Sequence, residues 1–578
     1  MRLKIAFLLL AYMLASSLQA QIKWRNPLKE STSVVQNQGW TEERNYARLP
    51  LRMQDKVRPP LWKLSRHSTG LAIHFYTNAT NISVRYQVSE ALAMRHMPST
   101  GVSGVDLYRV DEEGKTAFCF GGYPTGDTIR YKFRSTGKAK YHKLGFEYRL
   151  FLPLHNEVEW LEIGVDAEDV FSFVPASAEK PIVVYGTSIV QGSCASRPGM
   201  AWTNILQRAL DCPLLNLGFA GEGKLEEPIL DLMAEKGARL YILDCQANIA
   251  GEAEASIRQK TLNAVRRLRQ KSPAPILLIE HAGVSNMQSN ADNRLMIEKA
   301  NRASLAAYKQ LKKEGVKGLF YQTREELDRS AEAFVDRAHP SDLGMAEQAK
   351  AVEAAVRKIL SMPVGKLHTQ QPITQRREPG NYEWLARHRA IVERNRTEKP
   401  RALFIGNSIT HYWGGAPFDS KACGTGADSW EKYMQSAGYA NMGCGWDRIE
   451  NVLWRVYHGE LDGFDAEEIT LLLGTNNKGL NTDHDIVEGL RFLVQQIKVR
   501  QPQAKIRVLG ILPRRNGEAW CKRINQDIAR MAEECGAVYQ DLGSIFLMPN
   551  GKIDEKLFRG DGLHPNAKAY MLMAKELQ

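Results

Sequence analysis

Residues 181–192 read PIVVYGTSIVQG. Ile182, Val183, Val184 and Tyr185 form a short β-branched and apolar run, the pattern of a buried strand. The run leads straight into Gly186, Thr187 and Ser188. A Ser at the C-terminal end of a parallel strand, on a turn opened by Gly, presents its hydroxyl where ligands of open α/β sheets gather. The pattern returns at Leu403-Phe404-Ile405, followed by Gly406-Asn407-Ser408. Ser408 lies 220 residues after Ser188 (408 − 188).

Apolar runs recur downstream between amphipathic stretches. The pattern predicts strands at Ile182–Tyr185, Leu214–Leu217, Leu240–Asp244, Ile276–Glu280 and Gly318–Tyr321, with helices over Ser256–Gln270 and Asn293–Lys313. A helix at Tyr382–Asn395 opens a second series, with strands at Ala402–Ile405, Ile469–Leu473, Ile506–Ile511 and Ala537–Tyr539. Alternating strands and helices imply a parallel sheet covered on both faces, so the expected fold class is α/β, twice over. Residues 21–175 read differently. Ile82, Val84, Tyr86 and Val88 alternate with Ser83, Arg85 and Gln87, and Val158 to Ile163 alternates in the same way. With Gly and Asn turns between the runs, this predicts an all-β sandwich that binds sugar or caps the next domain. The expected order is a leader over 1–20, a sandwich over 21–175, an α/β domain over 176–362, a polar Pro-bearing linker over 363–380 and a second α/β domain over 381–578.

Each α/β half closes on one motif. Asp336-Arg337-Ala338-His339-Pro340 matches Asp561-Gly562-Leu563-His564-Pro565, an offset of 225 residues (561 − 336). An Asp three residues before a His, on a tight turn ended by Pro, sets the carboxylate beside the imidazole. The carboxylate fixes the tautomer, and the imidazole takes the Ser proton and later returns it. Alone the motif is a weak signal; order, spacing and duplication strengthen it. Acyl transfer also needs donors for an oxyanion. Asn216 to Gly221 (NLGFAG) matches Asn441 to Trp446 (NMGCGW), and each block can end a strand and offer a backbone N–H. Leu243 to Asn248 (LDCQAN) matches Leu473 to Asn476 (LGTN), and each supplies an Asn amide.

On these four blocks, both halves resemble SGNH hydrolases of the GDSL type, named for Ser, Gly, Asn and His. The resemblance implies a flavodoxin-like fold, hydrolysis without metal or cofactor, and the following roles. Ser188 is the nucleophile of the first half, with Asp336 and His339 as its triad partners and Gly221 and Asn248 as oxyanion donors. In the second half the triad is Ser408, Asp561 and His564, with Asn476 as a donor. The second half is similar to the platelet-activating-factor acetylhydrolase branch through GNSIT, LGTNN and DGLHPN. The leading segment resembles the GxDLY domain that precedes such esterases, through Gly104 to Tyr108. The tandem arrangement resembles bacterial sialate O-acetylesterases.

Four positions depart from the family pattern. The Asp of GDSL is Thr187 in one half and Asn407 in the other. The Gly before the block-III Asn is lost in Gln246-Ala247-Asn248. Trp446 stands where the oxyanion Gly is expected; since Trp adopts positive φ with difficulty, Gly445 or a shifted loop is expected to supply the donor.

The bulk numbers agree with an exported enzyme. At 578 residues the chain suggests about three or four domains. Its 43% hydrophobic and 25% charged residues exclude a disordered, fibrous or polytopic membrane protein. Arg2 and Lys4 precede an apolar run from Ile5 to Leu14, and Ser16, Ser17 and Ala20 follow, the pattern of a secretory signal peptide cleaved near Ala20. A periplasmic or secreted location follows, with no membrane span after cleavage. Eight Cys over the whole chain are sparse for a disulfide scaffold, and Cys245 sits in a predicted core strand. A net charge of +12 favours anionic partners, but the basic residues are scattered and no nucleic-acid motif appears.

Other features read less sharply. His411 and Trp413 follow Ser408 within two helical turns, where they line the site or pack. Arg197 and Arg448 meet an acidic substrate or solvent. Glu280-His281 lacks partners at metal-ligand spacing. His96 precedes the GxDLY motif without an assignable role. The expected function is removal of O-acetyl groups from glycans, with sialic acid as the first candidate sugar. Acetylated xylan, pectin or a lipid ester is the alternative substrate, and a glycan-binding protein with decayed sites is the alternative of another class.

Overall fold

The computed structural model describes residues 21–122, 128–135, 137–377 and 382–578. The expected leader over 1–20 and linker positions 378–380 lie outside the described residues. The chain forms two compact units. One holds the described residues up to Asp111, Thr116–Ala139 and Leu144–Ile359; the other holds Glu112–Lys115, Lys140–Lys143 and Leu360–Gln578.

The first unit contains two antiparallel sheets and one parallel sheet. Asn81–Val88 and Val158–Asp166 pair centrally in one antiparallel sheet, and Ala72–Thr77 and Phe146–Phe151 in the other. The period-2 reading holds at Asn81–Val88, where Ile82, Val84 and Tyr86 are buried and their neighbours are not. Ile73, Phe75, Val84, Tyr86, Leu107, Leu150 and Ile163 meet in the core between the sheets.

The parallel sheet runs Leu214–Gly218, Ile182–Gly186, Leu240–Asp244, Ile276–Ile279, Leu319–Gln322 in spatial order. In chain order this is 2-1-3-4-5, the flavodoxin-like arrangement. Its first three strands are buried throughout, as a sheet covered on both faces requires. Trp40, Leu49, Met53, Val57 and Leu61, from the segment between the strands Val35–Gln36 and Ala72–Thr77, share one core with Val183, Tyr185, Leu217 and Tyr241 of the parallel sheet.

The second unit repeats the plan. Its strands run Tyr439–Gly443, Ala402–Gly406, Glu468–Leu472, Lys505–Leu509, Val538–Gln540, again 2-1-3-4-5. The register decides where chemistry collects. Gly186 lies opposite Gly218 on one side and Asp244 on the other, and Gly406 lies opposite Gly443 and Leu472. Three strand ends therefore stop level at one edge, where the strand order reverses and a crevice opens. A Cβ on Gly218 would strike the backbone of Gln191, and one on Gly443 the backbone of His411, so the Ser-bearing turns lie directly against these glycines.

The segment 363–377 is no loose tether. Its turn His368–Gln370 packs on the helix Asp483–Arg500, and the buried Thr369 donates its hydroxyl to the Asp485 carbonyl at 2.7 Å. Polarity that reads as solvation in the sequence is spent there on hydrogen bonds. All eight Cys are free thiols, with Cys245 buried in the core. Among the described residues no helix is long and apolar enough to cross a membrane.

Candidate active site

In each sheet the first strand ends in Gly, and the next residue caps a short helix that starts with the Ser. The Thr187 hydroxyl accepts the Ile189 N–H at 3.3 Å, and the Asn407 carboxamide accepts the Ile409 N–H at 2.9 Å. Thr and Asn are both good N-caps, and so is Asp. The position that departs from the GDSL pattern is thus a capping position.

The structure brings the two motif ends together in both halves. Ser188 Oγ lies 3.0 Å from His339 Nε2, and His339 Nδ1 lies 2.7 Å from Asp336 Oδ2. Ser408 Oγ lies 2.9 Å from His564 Nε2, and His564 Nδ1 lies 2.7 Å from Asp561 Oδ2. The three-residue spacing is set by the backbone. Asp336 Oδ1 accepts the N–H groups of Ala338 and His339 at 2.8 and 2.7 Å; Asp561 Oδ1 accepts those of Leu563 and His564 at 2.9 and 2.8 Å. Burial pushes both carboxyls up, but these N–H groups and the His ring outweigh it and hold each below its ordinary value. An ionised carboxylate therefore faces each Nδ1–H, leaving the Nε2 lone pair for the Ser proton.

The second strand of each sheet ends on the same device. Asn216 donates to the Val190 carbonyl at 2.7 Å and accepts the Gly218 N–H at 2.8 Å; Asn441 donates to the Thr410 carbonyl at 2.7 Å and accepts the Gly443 N–H at 2.8 Å. The chain then turns through a left-handed residue, Gly221 at φ +74° and Trp446 at φ +66°. Asn248 and Asn476 each lie four residues beyond the end of the third strand. The Asn248 oxygen accepts the Gly223 N–H at 3.0 Å, so its NH₂ is the outward donor end. Asn476 donates one N–H to the Asp447 carbonyl at 2.9 Å and retains a second. The lost Gly is explained here. Gly474 is left-handed at φ +107° and opens a 3₁₀ turn, whereas its counterpart Gln246 is the first residue of an α-helical turn, Gln246–Ile249, and so needs no left-handed conformation.

The comparisons with known proteins agree with this geometry. Family models described as GDSL-like Lipase/Acylhydrolase family match residues 179–357 and 404–572, and a model described as the N-terminus of Esterase_SGNH_hydro-type matches 22–171. The crystal structure of a GDSL-like lipase from Bacteroides ovatus is 31% identical; the match covers 98% of that chain and 59% of this one, with a TM-score of 0.54. The chain belongs to the GDSL-like lipase/acylhydrolase family. Platelet-activating factor acetylhydrolase IB subunit alpha2 of Homo sapiens is 33% identical over 135 residues, which cover 23% of this chain and 54% of the relative. The alpha1 subunit of Bos taurus is 31% identical over 135 residues, 53% of its length. The chain spans about half the length of these curated relatives.

One residue of the second GDSL-like domain departs from expectation. The Gly445 N–H does not face the Ser; it donates to His411 Nδ1 at 3.1 Å. Trp446 itself takes the left-handed conformation that Gly221 takes in the first domain, and its side chain stays 39% exposed. Side chains rarely adopt this conformation, at a cost of order 1–3 kcal/mol. His411 and Trp413 do not line the site. Both are fully buried, with Trp413 donating to Ser429 Oγ at 2.9 Å.

The two arginines are also committed. Arg448 is buried and pairs with Glu450 at 3.0 Å. Arg197 donates to Asp106 Oδ2 and to the Tyr108 hydroxyl, both at 2.7 Å, and Asp106 also accepts the Gly199 N–H at 2.7 Å. The Asp and Tyr of GxDLY thus fasten the loop that follows the Ser188 turn. Glu280 and His281 are buried and hydrogen-bonded within the fold, to Tyr321 and Gly283 among others. His96 stacks on the His339 ring, centroids 5.5 Å apart at 22°. No sequence signal marks that contact.

Among the described residues, metal-ligating side chains lie close together within one unit at His96 with Cys194 and His339, and at His411 with Asp419 and Cys423. Both nitrogens of His339 and of His411 already take part in hydrogen bonds. Burial raises the Cys194 thiol to about 12, which keeps it protonated.

Proposed function

We propose that this protein is a two-site serine esterase that removes O-acetyl groups from glycans, with O-acetylated sialic acid as the preferred sugar. The observation that carries the esterase reading is the Ser–His–Asp chain, present at hydrogen-bonding distances in both domains. Serine-esterase chemistry is also that of the family to which both domains belong. Ser188 or Ser408 gives its proton to the His and attacks the ester carbonyl. The Ser N–H, the N–H of Gly221 or Trp446, and the amide of Asn248 or Asn476 receive the oxyanion. The His then protonates the departing sugar oxygen, freeing the hydroxyl, and water releases acetate by the same route.

Two observations favour a sugar alcohol, and an acidic one. Trp446 keeps a partly exposed indole at the left-handed position that Gly221 takes in the first domain. Arg559 is exposed in the same loop as His564, lies against the Tyr412 ring at 5.5 Å, and has no ion pair among the described residues. Tyr412 packs on His564 at 5.2 Å, so this cation borders the site.

The test is acetate release from O-acetylated sialoglycan and from acetylated xylan, by the parent, Ser188→Ala, Ser408→Ala and the double variant. Loss of sialoglycan activity only in the double variant supports two working sites. Release from xylan alone refutes the sialate assignment. No release from either, with glycan binding that survives both Ser substitutions, favours a binding protein.

A further inference from the structure

Gln191 follows Ser188 by three residues, and His411 follows Ser408 by three. Both side chains are fully buried. Gln191 Oε1 accepts the Ala220 N–H at 2.9 Å, and Ala220 precedes Gly221. His411 Nδ1 accepts the Gly445 N–H at 3.1 Å, and Gly445 precedes Trp446. A carboxamide and an imidazole share little beyond a side-chain acceptor. Here they meet the same N–H, one residue before the left-handed residue, in two separate sheets.

We infer that Gln191 and His411 are positioning residues that aim the oxyanion N–H of Gly221 and of Trp446. The inference rests on the serine-esterase reading. Peptide planarity supplies the mechanism. Once the N–H of residue 220 or 445 is pinned, only that residue's own φ and ψ separate it from the next N–H. Without the pin, the left-handed turn swings as a loop.

Each acceptor is itself held in one orientation. Gln191 Nε2 donates to the Leu154 carbonyl at 3.2 Å and lies 3.0 and 3.2 Å from Nδ1 of His67 and His155. Burial lowers His67 to about 4 and His155 well below its ordinary value, so both rings are neutral, and the two amide hydrogens are shared among the Leu154 carbonyl and the two Nδ1 atoms. His155 then passes its Nε2–H to Ser193 Oγ at 2.9 Å. With its NH₂ engaged on that side, Gln191 has only its oxygen to offer Ala220. His411 reaches the same end differently. Its Nε2 donates to Asp419 Oδ1 at 2.9 Å, and Arg387 holds that carboxylate at 3.1 Å. Nδ1 is then the acceptor. The first domain thus relies on two histidines from the GxDLY segment, residues 22–171, while the second uses residues of its own sequence. This gives the N-terminal module a part in catalysis without contact with substrate.

The test uses full-length chains. Ser408→Ala isolates the first site and Ser188→Ala the second. Gln191→Leu and His411→Leu remove the acceptor; Gln191→Glu keeps an oxygen toward Ala220, and His411→Gln installs the first site's residue in the second. Two quantities are read: kcat and KM on an acetyl ester, and the rate at which a fluorophosphonate labels the Ser, which draws on the same donors. The Leu variants are expected to lose about 10- to 100-fold in kcat and in labelling rate, with KM within about twofold, somewhat less than deleting a donor outright. His411→Gln is expected to recover most of the loss. Melting temperature is followed alongside, because a merely structural role lowers it without separating kcat from KM. Folded Leu variants with parental kcat and labelling overturn the inference and leave the esterase reading standing. A parent that neither turns over ester nor labels at either Ser overturns both. Should the Leu variants fail to fold, parental kcat in His411→Gln supports the inference, and a loss of 10-fold or more there overturns it.

Discussion

Replacing Trp446 by Gly in the Ser188→Ala chain separates what the Trp446 backbone does from what its indole does. The N–H at 446 survives the change, and Gly adopts φ +66° freely. Stability should move little. Relief of strain of order 1–3 kcal/mol is opposed by the greater chain entropy of Gly, ~0.5–1 kcal/mol, and by the loss of the buried part of the indole. A net change within about 1–2 kcal/mol is expected by thermal melting. Binding should change more. A sugar ring covering about 50 Å² of the exposed indole, at ~25 cal/mol per Å², gives ~1.3 kcal/mol, or about tenfold in KM. The assay is acetate release from an O-acetylated sugar and from ethyl acetate, which has no ring to stack. KM for the sugar ester should rise about tenfold with kcat nearly unchanged, and KM for ethyl acetate should stay put. Equal KM shifts for both substrates, or turnover slowed by about two orders of magnitude, would refute the reasoning, because the side chain would then be serving the acyl end of the site.

Asp336→Asn and Asp561→Asn free the Nδ1 side of each His, so kcat at the affected site should fall by about 10³–10⁴ with KM little changed, measured with the other Ser replaced by Ala. His411 is lowered from 6.5 to about 4, chiefly by burial. Its folded-state value lies below its unfolded one, so its contribution is complete above about pH 6.5 and is lost as pH falls toward 4. His411→Gln should therefore flatten the melting temperature of the second unit across that window in calorimetry. Asp106→Ala leaves Arg197 and the Gly199 N–H without their buried acceptor, so the first unit should lose about 3 kcal/mol or more in denaturant unfolding, and a loss below about 0.5 kcal/mol would show that the GxDLY Asp does not fasten that loop.

The parts legible in the sequence are those written twice. Ser188 with His339, and Ser408 with His564, stand in the same order at nearly the same separation, and duplication makes a weak tripeptide and a weak turn motif informative together. The strands that carry them are continuous apolar runs, so their positions are readable to within a residue or two. Contacts between distant segments are not legible. Nothing near Gly104 to Tyr108 says that Asp106 will meet Arg197, 91 residues on, and nothing near His96 points to His339. The backbone of Trp446 defies its sequence for a physical reason. A propensity against positive φ is a cost of a few kcal/mol, and the packed strand end before it, with Gly445 fixed on His411, overrides that cost. Gln191 and His411 do carry a signal, their equal spacing from each Ser. It is hard to read because a carboxamide and an imidazole do not look like equivalents until both are seen to accept the same N–H.

The core shared by Trp40, Leu49, Met53, Val57 and Leu61 with the first parallel sheet bears on how such chains can be cut and recombined. Exposing five large buried side chains at ~1.5–3 kcal/mol each forfeits roughly 7–15 kcal/mol, as much as a whole domain has to lose. A fragment beginning near residue 176 would carry an intact Ser–His–Asp set on a sheet with part of one face uncovered. An expression boundary between the N-terminal segment and the first hydrolase domain therefore removes part of the interior.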